Sequence, residues 1–308
     1  MAAENRRNSG IAAKLIAVLL AAGIAGAGYY WSTQNNELKE TEARITSLES
    51  ENEGLRNEIA QHTETLASKD AEIEDLNNAE TDLADIRAGY YAACKKLEDE
   101  ILAGNNPNKI AYLTFDDGPY ERTTPGYLDV LKERNVLATF FQLGRPAEEL
   151  DAIYRRIYED GHTIANHTYS HQIRNGIYRG VDYFINDVIQ NREFIQEKLG
   201  YTTTILRFPG GSSTARSLKP EIVERLKELG YGYVDWHTET GDGRVVLSPQ
   251  EYRDNVLNNT NGRSVMVVLM HDYSANTLAA LPEIIDGLRA QGYTLLPLFY
   301  ESAMVIKE

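Results

Sequence analysis

After residue 105 the sequence alternates between short apolar runs and amphipathic stretches, and this alternation limits the fold more than any other feature of the chain. The apolar runs are rich in β-branched and aromatic residues, which predicts strands at residues 110–115, 138–143, 162–166, 203–208, 231–236, 265–270 and 293–298. The stretches between them, such as residues 146–161 and 219–230, have helical periodicity and end in glycine. This alternation predicts a parallel sheet that is closed, or nearly closed, into a barrel, with functional residues at the carboxyl ends of the strands.

The N-terminal 34 residues have the composition of a membrane anchor or a signal peptide. Residues 15–31 carry no charge, and Arg6, Arg7 and Lys14 precede them. We expect a single-pass anchor with its N-terminus in the cytoplasm and the rest of the chain outside the cell membrane. A cleaved signal peptide, with a cleavage site near Ala25-Gly26-Ala27, is the alternative, and the protein would then be secreted.

Residues 35–104 have a coiled-coil pattern without proline, and the break at Asn105–Asn108 predicts that a second domain covers residues 105–308. Isoleucine and leucine repeat at heptad spacing, and Asn52 in an a position favours a parallel homodimer. A single solvated helix lying on the second domain is the alternative. Residues 35–101 contain 18 acidic and 7 basic side chains, so they supply most of the net charge of −15 and argue against a nucleic-acid partner.

Cys94 is the only cysteine, so the chain cannot form an internal disulfide. Its a position in the coiled coil allows two interpretations. The thiol either faces the same residue of a second copy and oxidises, or stays a buried free thiol.

Ionisable side chains follow several of the predicted strands. Asp116 and Asp117 end the first strand, where two adjacent carboxylates either bind a cation or cap a turn. His167 and His171 follow the third strand at a spacing that brings both imidazoles to one side if a helical turn begins there. One carboxylate and two imidazoles at neighbouring strand ends predict a divalent metal with open coordination positions.

Further strand ends carry an arginine, glycines and a third histidine. Arg207 can pair with a carboxylate near the metal, and Gly210 allows the backbone to approach a substrate. His271 ends the sixth strand as a candidate general acid, and either Asp242 or Asp235 could orient it.

Five motifs, TFDDGP, HTYSH, RFPGG, the Asp242 region and LMH, occur in an order that resembles the NodB-homology polysaccharide deacetylases of carbohydrate esterase family 4, over residues 108–300. The resemblance implies a distorted (β/α)7-8 barrel that removes N-acetyl groups from N-acetylglucosamine residues of a polymer. It implies that Asp116 is the catalytic base, with Arg207 as its partner, and that Asp117, His167 and His171 bind the metal. It also implies that His271 is the general acid, with Asp242 as its partner. Leu269 would line the pocket for the acetyl group, and the N–H of Gly210 would donate a hydrogen bond to the oxyanion.

Two positions depart from the family pattern. Many members have an aromatic residue at the position of Gly210 and a tryptophan at the position of Gly243. We expect Trp236 or a tyrosine to replace the missing wall of the pocket, and Tyr169 is the tyrosine we assign to the substrate. Other tyrosines that could stack on sugar rings are Tyr120, Tyr231, Tyr233 and Tyr273.

The predicted function is metal-dependent hydrolysis of a non-peptide C–N bond, most simply N-deacetylation of cell-wall peptidoglycan, because an anchored stalk of about 65 helical residues would reach about 100 Å from the membrane. The same site could instead hydrolyse O-acetyl esters of a glycan such as acetylated xylan. A catalytically weak, glycan-binding wall-organising protein is the non-enzymatic alternative. Zinc is the expected metal, and cobalt, nickel and iron suit the same ligands.

Overall fold

The computed structural model describes the backbone of residues 2–299 and the side chains of residues 14, 17, 19–28, 30–75 and 85–299. The chain divides into two compact units, Met1–Leu83 and Ala84–Glu308. One helix, α1, runs over Ala2–Leu102 and therefore belongs to both units. The second unit begins before residue 105, where the sequence predicts a domain boundary, because the last turns of α1 pack into its core.

The described backbone of the first unit, residues 2–83, is helical throughout. The large apolar side chains of its heptads are exposed, among them Ile45, Leu48, Leu55, Ile59, Leu66 and Ile73. The predicted heptad positions Leu76 and Leu83 lie outside the described side chains, as do Arg6 and Arg7. In the described part of α1 and of the other helices, no segment has the length and hydropathy needed to cross a membrane. Because several side chains of residues 15–31 lie outside the description, the anchor stays a prediction.

As far as residue 299, the second unit contains eight parallel strands connected mostly by helices. The strands are β1 (Lys109–Asp116), β2 (Thr139–Gln142), β3 (Thr163–Asn166), β4 (Ile205–Leu206), β5 (Gly232–Tyr233), β6 (Thr238–Glu239), β7 (Val265–His271) and β8 (Tyr293–Leu296). The helices are α2 (Thr124–Glu133), α3 (Asp151–Glu159), α4 (Val181–Leu199), α5 (Lys219–Glu228), α6 (Pro249–Leu257) and α7 (Ala275–Ala290). Short 3-10 helices cover Glu148–Leu150, Ile177–Arg179 and Ser212–Leu218.

The parallel sheet predicted from the sequence is confirmed, but it forms a curled half-barrel. The strand order is β5-β4-β3-β2-β1-β7-β6, and β8 pairs with β1. Within the described strands, β5 and β6 do not pair with each other, so the sheet has a gap between them. Residues 231–236 form only the two-residue strand β5 before the chain crosses this gap. The Val234 N–H bonds to Leu206 on one side of the gap, and the His237 N–H bonds to Val267 on the other.

Alternation along β1 separates the interior of the half-barrel from its helix-covered face. Ala111, Leu113 and Phe115 face the helices in one core cluster, whereas Ile110 and Tyr112 face a second cluster inside the sheet. Thr114 and Asp116 continue the inner row, and both are buried. The period of two therefore carries Asp116 into the interior at the carboxyl end of the strand.

The inner cluster also contains the end of α1. Cys94 and Ile101 are buried there, and the carboxylate of Glu98 accepts a hydrogen bond from the hydroxyl of Tyr112. The apolar face that the sequence assigned to the coiled coil in this stretch therefore packs against the sheet. Cys94 is a buried free thiol, which contradicts the interchain disulfide, because barrel side chains occupy the place expected for a second helix.

Candidate active site

A cleft of about 290 Å³ opens at the carboxyl ends of the strands, as the parallel sheet predicts. Eight of the eleven residues to which the sequence assigns a role in the site line it: Asp116, Asp117, His167, His171, Gly210, Trp236, Leu269 and His271. They come from the ends of β1, β3, β4 and β7 and from the segment after β5. Residues distant in sequence thus meet because these strand ends lie along one edge of the sheet.

Asp117, His167 and His171 bring three potential metal-ligand atoms together within 4.8 Å of one another. The Nε2 atoms of His167 and His171 lie 3.5 and 3.3 Å from Asp117 Oδ1. This oxygen is buried and has no hydrogen-bond donor among the described residues. A buried carboxylate oxygen without a donor, next to two imidazole nitrogens, matches the donor set of a zinc-type cation.

His167 is held in the form that binds a metal. Its Nδ1 lies 2.8 Å from the backbone carbonyl oxygen of Arg207, which orients Nε2 toward Asp117. Burial lowers the pKa of His167 to about 3, and the nearby His171 acts in the same direction. The imidazole therefore stays neutral, as a ligand must, throughout the physiological pH range.

The loop after β3 corrects one expectation about this pair. Residues 167–171 form no helical turn, and Thr168 and His171 have φ values of 68° and 54°. The Thr168 N–H donates to Asn166 Oδ1, and the His171 N–H donates to Thr168 Oγ1. Side-chain hydrogen bonds and left-handed backbone, rather than helical spacing, bring the two imidazoles together.

Asp116 adjoins this cluster, with its Oδ2 3.6 Å from His167 Nε2, and pairs through its other oxygen with a buried arginine. Arg207 Nη1 lies 2.8 Å from Asp116 Oδ1 and 2.7 Å from Thr114 Oγ1, and the guanidinium is fully buried. Two backbone carbonyls, of Val234 and Asp235, accept its remaining hydrogen bonds. Burial raises the pKa of Asp116, and the charge of Arg207 opposes that rise. The result is a rigidly aimed carboxylate that is a stronger base than an exposed one.

His271 and Asp242 form a second pair on the other side of the cleft. His271 Nδ1 lies 2.7 Å from Asp242 Oδ1, and Asp242 Oδ2 accepts from the His271 N–H and from Thr277 Oγ1. Burial opposes the imidazolium, but Asp242 and the charges of Asp116 and Asp117 raise the pKa of His271 to about 9. A protonated Nε2 thus faces the cleft at neutral pH, 3.9 Å from Asp117 Oδ2.

The sequence allows either Asp242 or Asp235 as the partner of His271, and the structure distinguishes between them. Asp235 accepts hydrogen bonds from the N–H and hydroxyl of Ser212. It therefore anchors the loop that follows Gly210, while Asp242 alone bonds to the histidine. A Cβ atom at Gly243 would lie 2.7 Å from His271 Cε1, so glycine at this position allows the backbone to lie close to the imidazole ring.

Tyr169 does not reach the cleft, so its assignment to the substrate was wrong. Its ring packs at the edge of Phe194 and against Gly144, where an added Cβ would lie 2.0 Å from Tyr169 Cδ2. The left-handed backbone of Thr168 turns this side chain toward the helix-covered core instead of the rim. Tyr231 and Tyr233 are also buried in the core.

Tyr273 is the tyrosine that lines the cleft, beside His271 with ring centroids 5.1 Å apart. The sequence did not single out Ile173, Glu239 and Arg244, which also line it. Arg244 and Glu239 form an ion pair of 2.6 Å at the cleft wall. Nothing in the local pattern distinguishes this pair from an ordinary surface ion pair, so only the fold reveals its position.

A parallel half-barrel with this arrangement at its strand ends defines a hydrolase of the carbohydrate esterase type. Residues 103–234 match the polysaccharide deacetylase family, and residues 1–84 match a coiled-coil region of unknown function. The chain is 35% identical over 199 residues to a peptidoglycan-N-acetylglucosamine deacetylase of Bacillus cereus, covering 62% of this chain and 68% of the relative. This chain belongs to the polysaccharide deacetylase family.

Two further similarities cover the same domain. A peptidoglycan-N-acetylglucosamine deacetylase of Listeria monocytogenes is 30% identical over 65% of this chain, but the match spans only 41% of that longer protein. The crystal structure of the catalytic domain of a peptidoglycan N-acetylglucosamine deacetylase from Eubacterium rectale superposes with a TM-score of 0.61 at 36% identity, covering 66% of this chain and 94% of that one. The similarity is therefore to a catalytic domain.

Proposed function

We propose that the second unit removes N-acetyl groups from N-acetylglucosamine residues of peptidoglycan, using one divalent metal, with zinc the expected ion. The observation that carries the proposal is the placement of two different proton-transfer pairs beside one metal-type cluster. Asp116 with Arg207 and His271 with Asp242 both adjoin Asp117, His167 and His171. The names of the relatives support the choice of peptidoglycan as substrate.

Amide hydrolysis needs an activated water, a stabilised oxyanion and a protonated leaving amine. A divalent metal bound by Asp117, His167 and His171 would polarise the acetyl carbonyl and make water easier to deprotonate. Asp116, aimed by Arg207, takes the proton from the attacking water. His271, kept protonated by Asp242, gives a proton to the departing amine.

The backbone at Gly210 supplies a hydrogen-bond donor for the oxyanion. This glycine lines the cleft with a φ of 72°, and its N–H has no partner among the residues that the structure describes. One donor of this kind contributes about 3 kcal/mol of transition-state stabilisation. Leu269 and Trp236 offer apolar surface on the cleft wall for the acetyl methyl group and the sugar.

Acetate release by the purified chain tests this proposal. With added zinc, we expect release from N-acetylglucosamine oligomers and from peptidoglycan to exceed release from acetylated xylan. Faster release from acetylated xylan would instead show an O-acetyl esterase. No release from any of these glycans would support the non-enzymatic, glycan-binding alternative.

We also propose that the enzyme acts outside the cytoplasm as a parallel homodimer. The uncharged segment 15–31 behind basic residues supports export, and the substrate lies outside the cell. The exposed heptad side chains Ile45, Leu48 and Leu55 support pairing, because a single helix leaves them in water. Size measurement by light scattering with full-length protein tests the dimer.

A further inference from the structure

A second groove, of about 750 Å³, lies on the carboxyl-end rim of the half-barrel. The loop after β3 contributes Arg174 and Arg179, and the loop after β4 contributes Arg216 with the hydroxyls of Ser213 and Ser217. These are the loops that also carry the ligand histidines and Gly210. The groove is therefore built by the same two connections as the active site.

The groove is cationic in a chain whose net charge is −15. Its lining has three arginines and no acidic residue. All three arginines are exposed, and none forms an ion pair or a side-chain hydrogen bond within the described residues. Arg179 is held in place by the ring of Tyr183, with its guanidinium carbon 3.6 Å from the ring centroid. Three unpaired guanidinium groups in one concave surface form a recognition site for an oxyanion.

The backbone of both loops is constrained where the arginines stand. Arg216 has a φ of 49° and a ψ of −125°, which a residue with a side chain rarely adopts. Asn175, next to Arg174, has a φ of 54°. A side chain at Gly176 would lie 2.0 Å from the carbonyl oxygen of Gln172, so this turn requires glycine. Strained backbone of this kind is concentrated at functional sites.

The groove adjoins the active-site cleft. Ile173 lines both of them, and Thr214 of the groove donates a hydrogen bond to the carbonyl oxygen of Gly210 in the cleft. A side chain at Gly210 would lie 3.0 Å from Thr214 Oγ1 and 3.5 Å from Ile173 Cδ1. Because Gly210 has no side chain, little material separates the groove from the active-site cleft at this point. A larger residue would fill the space between them.

The geometry points to a subsite in which Arg174, Arg216 and Arg179 bind a carboxylate on the sugar next to the one being deacetylated. This inference rests on the proposed function and deepens it, because it makes the substrate an acidic glycan. In peptidoglycan the sugar that alternates with N-acetylglucosamine carries a lactyl ether. Its acid group is amide-bonded to the stem peptide in the intact wall, and it is a free carboxylate, with the bidentate geometry that guanidinium groups match, where the stem peptide has been removed. The subsite therefore favours glycan strands that lack stem peptides. A neutral glycan offers the groove no charge to pair.

The test compares acetate release from three tetrasaccharides in the presence of zinc. One contains N-acetylglucosamine only, the second alternates it with N-acetylmuramic acid, and the third is the second with its carboxylates methylated. The groove variant is Arg174→Ala/Arg216→Ala. The control is Arg155→Ala/Arg263→Ala, which removes the same charge from two exposed arginines outside the groove.

For the groove variant we expect KM for the carboxylated tetrasaccharide to rise about tenfold with little change in kcat, since exposed charge-assisted contacts are of modest strength. The neutral and methylated substrates should change less than about twofold. The control variant should behave as the wild type on all three. The variant Arg174→Lys/Arg216→Lys should recover part of the loss, because it keeps the charge without the planar fork.

Equal losses on the neutral and carboxylated substrates, or no loss on either, would overturn the subsite while leaving the proposed function intact. Wild-type protein that releases no acetate from any of the three would overturn both. A defect of the groove variant that appears only on walls bearing phosphate polymers, and disappears after these are stripped with hydrofluoric acid, would assign the groove to phosphate and overturn the carboxylate.

Discussion

Two neighbouring aspartates take different positions because of the backbone between them. Asp116 is the last residue of β1 and continues its inward row toward Arg207. Asp117 has left the strand, with a φ of 73°, and faces the two histidines. The difference in role that the family resemblance assigns to this pair thus has a conformational cause.

Asp116→Asn tests the base. The amide keeps the shape of the carboxylate but cannot accept a proton, so we expect kcat to fall about 10²- to 10⁴-fold. Zinc content should stay near that of the wild type, because Asp116 is not among the three clustered residues. Acetate release and metal analysis on the same preparation check both. His167→Ala is the control that should lose the metal, and an Asp116→Asn protein with near wild-type kcat would exclude this residue as the base.

Asp242→Asn tests the general acid through the pH profile. A general acid must be protonated, so kcat/KM falls as pH rises through the pKa of His271, which is about 9 in the wild type. Removing the negative charge lowers this pKa, and the alkaline limb should move down by about one pH unit or more. The limb is measured from kcat/KM between pH 6 and pH 10. An unchanged limb would mean that another group controls it.

The sequence identified most of the site residues but not the conformation of the loops that carry them. Strand ends could be predicted from periodicity, which placed Asp116, His167, Arg207 and His271 at one rim. Tyr169 was misplaced because positive φ at Thr168 is fixed by a hydrogen bond to Asn166, which no periodicity reveals. The sequence did not predict the arginine groove for the same reason, since its arginines come from two loops whose shapes depend on local hydrogen bonds.

At the scale of elements, the C-terminal end of α1 packs into the core of the second unit although its heptad pattern does not change. From Ala84 onward the helix belongs to the second unit, and Cys94 and Ile101 face the interior of the half-barrel, with Tyr90, Tyr91 and Leu97 packed beside them. Heptad spacing shows that one face of a helix is buried but not what covers it. The coiled-coil prediction therefore extended about twenty residues too far.

Ile101→Ala tests the packing of this helix end. Ile101 is 4% exposed, so truncation should lower the free energy of unfolding by about 3 kcal/mol through lost burial and a cavity. Ile86 on the same helix is 68% exposed, and Ile86→Ala should cost less than about 0.5 kcal/mol. Urea titration of both variants measures the difference. Equal, small effects would show that the helix end does not contribute to this core.

At the scale of the whole molecule, the first unit supplies a surface and the second the chemistry. The boundary at residues 83 and 84 coincides with the end of the coiled-coil family match at residue 84. Exposed isoleucines and leucines in the first unit require a partner to be buried. Association through the first unit would bring two catalytic units to one polymer and raise their effective concentration there.

Asn52→Val tests whether Asn52 determines how many copies of the first unit associate. Asparagine at an a position favours a parallel dimer at a cost in stability. The valine variant should therefore melt at a higher temperature and form species larger than a dimer, as measured by circular dichroism and light scattering. Acetate release per chain should not change. A variant that stays strictly dimeric would show that other positions control the number of helices.

The proposed metal-dependent N-deacetylation in the cleft is tested most directly by acetate release from peptidoglycan, measured with the full chain before chelation, after chelation and after zinc is added back. We predict that release stops when the metal is removed and returns with about one zinc per chain, as expected for a single three-ligand site. Undiminished release from metal-free protein, or no release from the zinc-loaded protein, would contradict metal-dependent N-deacetylation in this cleft.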